Sequence, residues 1–133
     1  MKLLFFTAVL VLCSTQVYAD WEQAYKDDRT DVTVYADRAT IRRRADVVEM
    51  WALYDYQTPQ QAVGASYLSR KVKNEYNCSQ EVKRMIEVIE FSGNMASGKV
   101  VYRNTFFLSK EPRWTPVRLG MGETLLQLAC GKQ

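Results

Sequence analysis

The chain contains no histidine and only three cysteines among its 133 residues. Histidine is the commonest general base, a frequent metal ligand and a member of most catalytic triads, so its absence argues against all three kinds of site. Charge of one sign is not in strong excess either, since 18 basic residues stand against 15 acidic ones. A net charge of +3 is too small to favour nucleic acid as a partner.

The first 19 residues have the layout of a secretory signal peptide. Lys2 precedes an apolar run that is too short to span a bilayer, and Val17 and Ala19 occupy the −3 and −1 positions of a cleavage site. We therefore predict a signal peptide over 1–19 and one domain over 20–133. The domain would be exported to the periplasm, the outer cell surface or the medium, with no transmembrane segment after signal cleavage.

The three cysteines divide between the signal and the mature domain. Cys13 would leave with the signal, because Leu12 stands where a lipidation motif has a smaller residue. Cys78 and Cys130 would then remain alone in an oxidising compartment, and we predict that they form a disulfide. In the chain-entropy model, closing a loop of this length contributes about 4 kcal/mol. Once paired, the two sulfurs are not available as nucleophilic thiols.

Most of the mature chain alternates between apolar and polar residues. In the longest run, Trp51 and Leu53 alternate with Met50 and Tyr54, which favours a central strand with two partly apolar faces. Turn residues separate the runs. The predicted strands are 31–35, 47–56, 68–76, 82–91 and 99–108, with turns at 37–40 and 58–61 and a hairpin loop at 93–98.

The end of the chain changes to a helical pattern. Residues 123–130 are mostly helix formers, and Gly131 follows where a glycine commonly ends a helix. A helix this short is not stable alone. We therefore expect the disulfide to hold it on the sheet, with Leu125, Leu128 or Ala129 facing inward.

Three patterns could indicate nucleotide binding, hydrolysis or calcium binding, and each has a simpler interpretation. Residues 93–99 match a GxxxxGK phosphate loop, but Val100 lacks the hydroxyl that binds Mg²⁺ and a strand follows instead of a helix. Asp55 and Glu90 could form a hydrolytic carboxylate pair, although surface acids are common. Residues 27–31 lack the spacing and glycine of a calcium loop. We predict no enzyme activity, no cofactor and no metal.

Two clusters of basic residues are candidate binding sites. They are Arg42, Arg43 and Arg44, and Arg70, Lys71 and Lys73. If they share one face, they could bind sulfated glycans, acidic protein surfaces or phosphate groups of lipid. The alternative is that these charges protect an exposed strand edge from aggregation. Trp51 and Trp114 are expected in the core rather than on a binding surface.

Several short motifs follow one another in a distinctive order. They are Trp21, Val34-Tyr35-Ala36-Asp37, Met50-Trp51-Ala52-Leu53-Tyr54, Glu75-Tyr76-Asn77-Cys78, Ser92-Gly93-Asn94-Met95, Trp114-Thr115-Pro116 and Leu128-Ala129-Cys130-Gly131. Together they resemble the bacterial surface-adhesin protein E family over nearly all of the mature chain. No single motif is specific, but their combined spacing is.

The resemblance implies an α+β, mostly β fold: an antiparallel sheet of about six strands with a C-terminal helix packed on it and tied by the disulfide. It also implies a non-enzymatic protein whose partner is a protein or glycan, with host extracellular-matrix and serum glycoproteins as candidates, and a homodimer formed through sheet edges. A second hypothesis is a periplasmic envelope-maintenance or inhibitor protein that binds a bacterial partner.

Overall fold

A computed structural model describes residues 19–61, 63–106 and 113–131. Within them, six strands form an antiparallel meander in the order β1-β2-β3-β4-β5-β6, and a short seventh strand pairs with β5. The elements are β1 (Glu22–Asp27), β2 (Val32–Arg44), β3 (Val47–Gln61), β4 (Ser66–Asn77), β5 (Val82–Phe91), β6 (Val100–Thr105), β7 (Thr115–Pro116) and α1 (Met121–Cys130). The predicted fold class is confirmed. The predicted signal peptide lies outside the described residues except for Ala19, and it stays a prediction.

Two predicted turns are wrong, because strands continue through them. β2 passes through 37–40 and β3 through 58–61, and the pairing register of β2 with β3 and of β3 with β4 shifts at these places. Thr40 makes the hydrogen bonds of a local turn: its hydroxyl donates to the carbonyl of Asp37 at 2.6 Å and accepts from the backbone N–H of Trp51 at 3.0 Å. The turn-forming residues therefore produce bulges inside long strands.

The sheet has two distinct faces, since alternate side chains of a strand point to opposite sides. The helix face packs against α1 and carries the main apolar core. Its strand residues include Val34, Val48, Met50, Ala52, Val72 and Tyr76. The opposite face, here called the open face, carries Trp51, Leu53, Lys71, Lys73 and Ile89 in register across β3 to β5.

The C-terminal helix starts two residues earlier than predicted and ends at Cys130 as predicted. Gly131 adopts the left-handed conformation with φ of 69°, and its N–H donates to the carbonyl of Gln127, which terminates the helix. The disulfide between Cys78 and Cys130 is present, with the two Cα atoms 5.8 Å apart. The buried helix residues are Leu125, Leu126, Ala129 and Cys130, and Leu128 is partly buried.

Candidate binding surface

Four of the six predicted binding residues lie on the open face. Arg42 and Arg44 of β2 pair with β3 at positions that share a side with Trp51. Lys73 of β4 lies directly opposite Trp51, and Lys71 lies two residues further along the same side. The pairing of β2, β3 and β4 therefore places the two arginines on the same face as the two lysines, which lie 27 or more positions later in the sequence.

A row of alternating indoles and ammonium groups crosses this face. The Nζ of Lys71 lies 5.0 Å from the centroid of the Trp51 ring and 5.9 Å from that of Trp21, while the Nζ of Lys73 lies 5.3 Å from the Trp51 ring. These are cation–π distances. The expectation that Trp51 belongs to the core is wrong, because strand alternation places Met50 in the core and Trp51 on the opposite side.

The second tryptophan also lies outside the core. Trp114 is 36% exposed, and the guanidinium of Arg84 stacks over its ring at 4.4 Å. Residues 107–112, which include the end of the strand predicted over 99–108, fall outside the described residues, whereas the segment after Trp114 pairs with β5. The indole therefore holds a surface contact with a cation on β5 instead of filling the interior.

Carboxylates balance several cations of the open face. Arg84 donates from Nε and Nη2 to Oε2 of Glu75 at 3.1 and 2.8 Å, and Arg44 lies 3.8 Å from the other oxygen of that carboxylate. Lys73 pairs with Glu87 at 3.7 Å. Glu75 is only 2% exposed, and these contacts offset the cost of burying its charge. The open face is thus a surface of mixed charge in which ion pairs fix the long side chains.

The other two predicted binding residues lie on the helix face. The Nη2 of Arg43 donates to the carbonyl of Cys130 at 3.0 Å, which satisfies a carbonyl at the end of α1. The guanidinium of Arg70 lies 5.1 Å from the centre of the Tyr54 ring. Neither residue can share a binding surface with the four cations of the open face.

The carboxylate pair considered from the sequence does not form. Asp55 lies on the open face, where one of its oxygens accepts hydrogen bonds from the Asn94 amide at 3.1 Å and the Met95 N–H at 2.8 Å. Glu90 lies opposite Arg70 on the helix face. The two acids therefore stand on opposite sides of the sheet.

The glycine-rich segment is a hairpin loop, as predicted. Its backbone N–H groups donate within the protein: Gly93 to the carbonyl of Ser97 at 3.0 Å, and Ala96 to the hydroxyl of Ser69 at 2.9 Å. Ser69 also donates to the carbonyl of Gly93 at 2.6 Å, so this fully buried serine anchors the loop to β4. This role of Ser69 could not be predicted from the sequence, because a serine in a strand gives no signal of its distant partner.

The fold and its half-buried row of tryptophans and lysines describe a small domain of one antiparallel sheet with a C-terminal helix. A match to a family model is more specific: residues 21–131 match the surface-adhesin protein E family. The chain belongs to this family and is an adhesin-like surface protein, from a family of exported surface adhesins rather than of enzymes. Within the described residues, no helix has the length and apolarity needed to cross a membrane.

Solved structures of Haemophilus influenzae protein E share the fold. The crystal structure of protein E from non-typeable H. influenzae has a TM-score of 0.59 and 12% identity, over 88% of this chain and 79% of that chain. A second H. influenzae protein E structure has a TM-score of 0.59 and 13% identity, over 88% of both chains. At this identity the likeness concerns the fold alone. No curated protein sequence matches the chain significantly.

Proposed function

We propose that the protein is a non-enzymatic adhesin that binds acidic or sulfated parts of host extracellular-matrix or serum glycoproteins through its open face. The observation that carries this proposal is the register that places Arg42, Arg44, Lys71 and Lys73 on one side of the sheet, with the two lysines beside the ring of Trp51. An indole can stack on a sugar ring or a planar side chain, while flanking cations attract sulfate and carboxylate groups.

The ion pairs of this face set the expected strength of binding. Lys73 and Arg44 already face carboxylates, so a ligand must compete with Glu87 and Glu75 for part of their charge. The side chain of Arg44 is 78% exposed, so its attraction is screened by salt. We therefore expect each cation to add modest, salt-sensitive affinity, and Trp51 to determine how the ligand is oriented.

Binding of the mature protein to immobilised heparin and to matrix glycoproteins tests the proposal. The variant Arg42→Ser/Arg44→Ser removes two open-face cations and keeps Arg43, which holds the end of α1. Its control, Lys26→Ser/Arg29→Ser, removes two cations near the β1–β2 turn, at the other end of β2. We expect about a threefold to tenfold loss for the first variant, little change for the control, and an unchanged melting temperature for both.

Two results would count against this proposal. Full binding by Arg42→Ser/Arg44→Ser, or binding that does not depend on salt, would place the ligand on another surface. No binding to any host glycoprotein would favour the periplasmic envelope-maintenance or inhibitor protein. Protease shaving of intact cells separates these two functions, since an adhesin must be exposed outside the cell.

We also propose that two copies can pair through their sheet edges. In the described residues, β1 and β6 each pair with a neighbour on one side, which leaves a row of backbone donors and acceptors on the other side. Val100 on β6 is a half-exposed apolar residue at such an edge. Light scattering after gel filtration should give twice the monomer mass, and Val100→Lys should shift it towards the monomer. A monomeric mass at high protein concentration would contradict edge pairing.

A further inference from the structure

Part of the helix face is not covered by α1. The helix packs on β1 to β4, and beside it, where β4, β5 and β7 meet, lies a recess of about 270 Å³. A second recess, of about 630 Å³, shares Lys83 and Thr115 with the first and extends to Arg118 and the start of α1. The polar residues that line the first recess are Tyr54, Arg70, Asn74, Lys83, Arg84, Arg113 and Thr115, and among them Arg84 is already paired with Glu75.

Three cations meet in this space without a carboxylate partner. Arg70, Lys83 and Arg113 form no ion pair within 4 Å among the described residues, and no described acid lines the first recess. The Nε of Arg70 is buried without a hydrogen-bond partner. We call the space around these three residues the cationic recess. The nearby Arg118 adds charge, although it also borders a separate recess that contains Glu81 and Glu123.

The positive charges around Lys83 affect its ionisation. The pKa of Lys83 is lowered, first by burial and then by the positive charges of Arg70 and Arg118. Glu90 lies opposite Arg70 in the β4–β5 pairing, but its Oε2 is buried and has no hydrogen-bond partner. This acid forms no ion pair within 4 Å, but its charge still interacts with that of Arg70, so the positive charge of the recess is offset only in part.

The chemistry of the lining favours a compact anion with several acceptor oxygens. Two guanidinium groups and one ammonium can supply charge-assisted hydrogen bonds, and the Asn74 amide is a neutral donor at the wall. Its side-chain nitrogen has only a long contact of 3.5 Å, to the Tyr76 hydroxyl. A planar carboxylate offers two oxygens, whereas a phosphate or sulfate group offers three or four and can contact all three cations at once.

We propose that the cationic recess is a binding site for a tetrahedral oxyanion, the phosphate or sulfate group of a larger ligand. Arg70 and Lys83 lie on the opposite side of the sheet from the cations gathered near Trp51. An anion there would reduce the repulsion that Lys83 experiences from neighbouring positive charges, and it would bridge β4, β5 and the segment that leads into β7. Ligand and structural order are therefore coupled at this site.

Calorimetric titration of the mature, disulfide-bonded protein tests the site. The probes are inorganic phosphate, glucose 6-phosphate, inorganic sulfate and a sulfated disaccharide. The variant Lys83→Gln/Arg113→Gln removes two cations of the recess, and Lys26→Gln/Arg29→Gln removes two exposed cations near the β1–β2 turn as a matched control. We expect at least about a tenfold loss of affinity in the first variant and less than about a twofold change in the control.

The probes also identify the source of the oxyanion. Tighter binding of glucose 6-phosphate than of the sulfated disaccharide indicates a phosphate ester, and the reverse order indicates a sulfated glycan. Equal losses in both variants would show diffuse attraction to net charge, and they would overturn the proposal. So would failure of all four probes to bind the wild-type protein at millimolar concentration. Circular dichroism of both variants excludes unfolding as the cause of a loss.

Discussion

The two faces of the sheet differ in how many of their positive charges lie next to a carboxylate. On the open face, Arg44, Lys73 and Arg84 each lie within 4 Å of a carboxylate. On the helix face, Arg70 and Lys83 meet in a recess without such a partner among the described residues. A ligand of Arg44 or Lys73 on the open face must therefore displace a carboxylate. On the helix face, the nearest acid to Arg70 forms no ion pair with it, so more of the positive charge remains for an external anion.

The helix face depends on α1, which the disulfide ties to the sheet. Removing the disulfide should therefore give the largest change in stability of all the variants considered. We expect Cys78→Ser/Cys130→Ser to lower the free energy of unfolding by about 4 kcal/mol, because the closed loop spans 52 positions. Since α1 is too short to persist alone, amide exchange should rise over the helix and much less over β3 and β4. Unchanged exchange in α1 would show that its apolar contacts suffice without the bond.

Weakening the apolar contact between α1 and the sheet should give the next largest loss of stability. Leu125 is 1% exposed within the core of the helix face, so Leu125→Ala should cost about 3 kcal/mol in chemical denaturation. Leu119, which is 88% exposed just before the helix, gives the matched control. Leu119→Ala should change stability by less than about 0.5 kcal/mol. A similar loss in both variants would contradict the assignment of the core.

Much of this difference between the faces could be predicted from the sequence. The alternation of Met50 and Trp51 correctly separated two sides of β3, and Gly131 marked the end of the helix. Cysteine counting gave the disulfide. These features succeed because each depends on local conformation or on a residue type with few uses.

The sequence did not show where distant cations meet. Arg42, Arg43 and Arg44 are adjacent, yet strand alternation sends Arg43 to the helix face and its neighbours to the open face. The cationic recess joins Arg70, Lys83 and Arg113 from three separate segments, so no local pattern indicates it. Turns are predicted where the structure has bulges, because the same residue types and local hydrogen bonds stabilise both. Each wrong prediction concerns residues whose position depends on how distant strands pair in the complete sheet.

The opposite roles of adjacent arginines offer a sharper comparison. Arg43→Gln should lose the hydrogen bond to the Cys130 carbonyl and destabilise the protein by about 1 kcal/mol, because it leaves the end of α1 without its side-chain donor. Arg42 donates only to carbonyls of nearby residues, so Arg42→Gln should change stability by less than about 0.5 kcal/mol. Thermal unfolding of the two variants provides the measurement. Equal shifts would show that Arg43 does not support the helix.

The smallest expected change in stability comes from Glu90 on the helix face and depends on pH. Burial raises the pKa of Glu90, while the positive charge of Arg70 partly opposes this shift. Between its unfolded and folded pKa values the native state therefore binds more protons than the unfolded state. The stability contributed by this carboxyl is complete below the unfolded value and is lost as the pH rises through the folded value.

Glu90→Gln should remove this dependence, so the free-energy difference between variant and wild type should shift in favour of the variant as the pH rises from about 4 to 7. Urea unfolding at several pH values measures the difference, with Glu22→Gln on the exposed β1 as the control for loss of one carboxylate. The same change removes the negative charge opposite Arg70, so it should also strengthen phosphate binding in the cationic recess. A difference that does not vary with pH would show that Glu90 is charged at no greater cost in the native protein than in the unfolded chain. Weaker phosphate binding by Glu90→Gln would show that this acid orders Arg70 for the anion rather than competing with it.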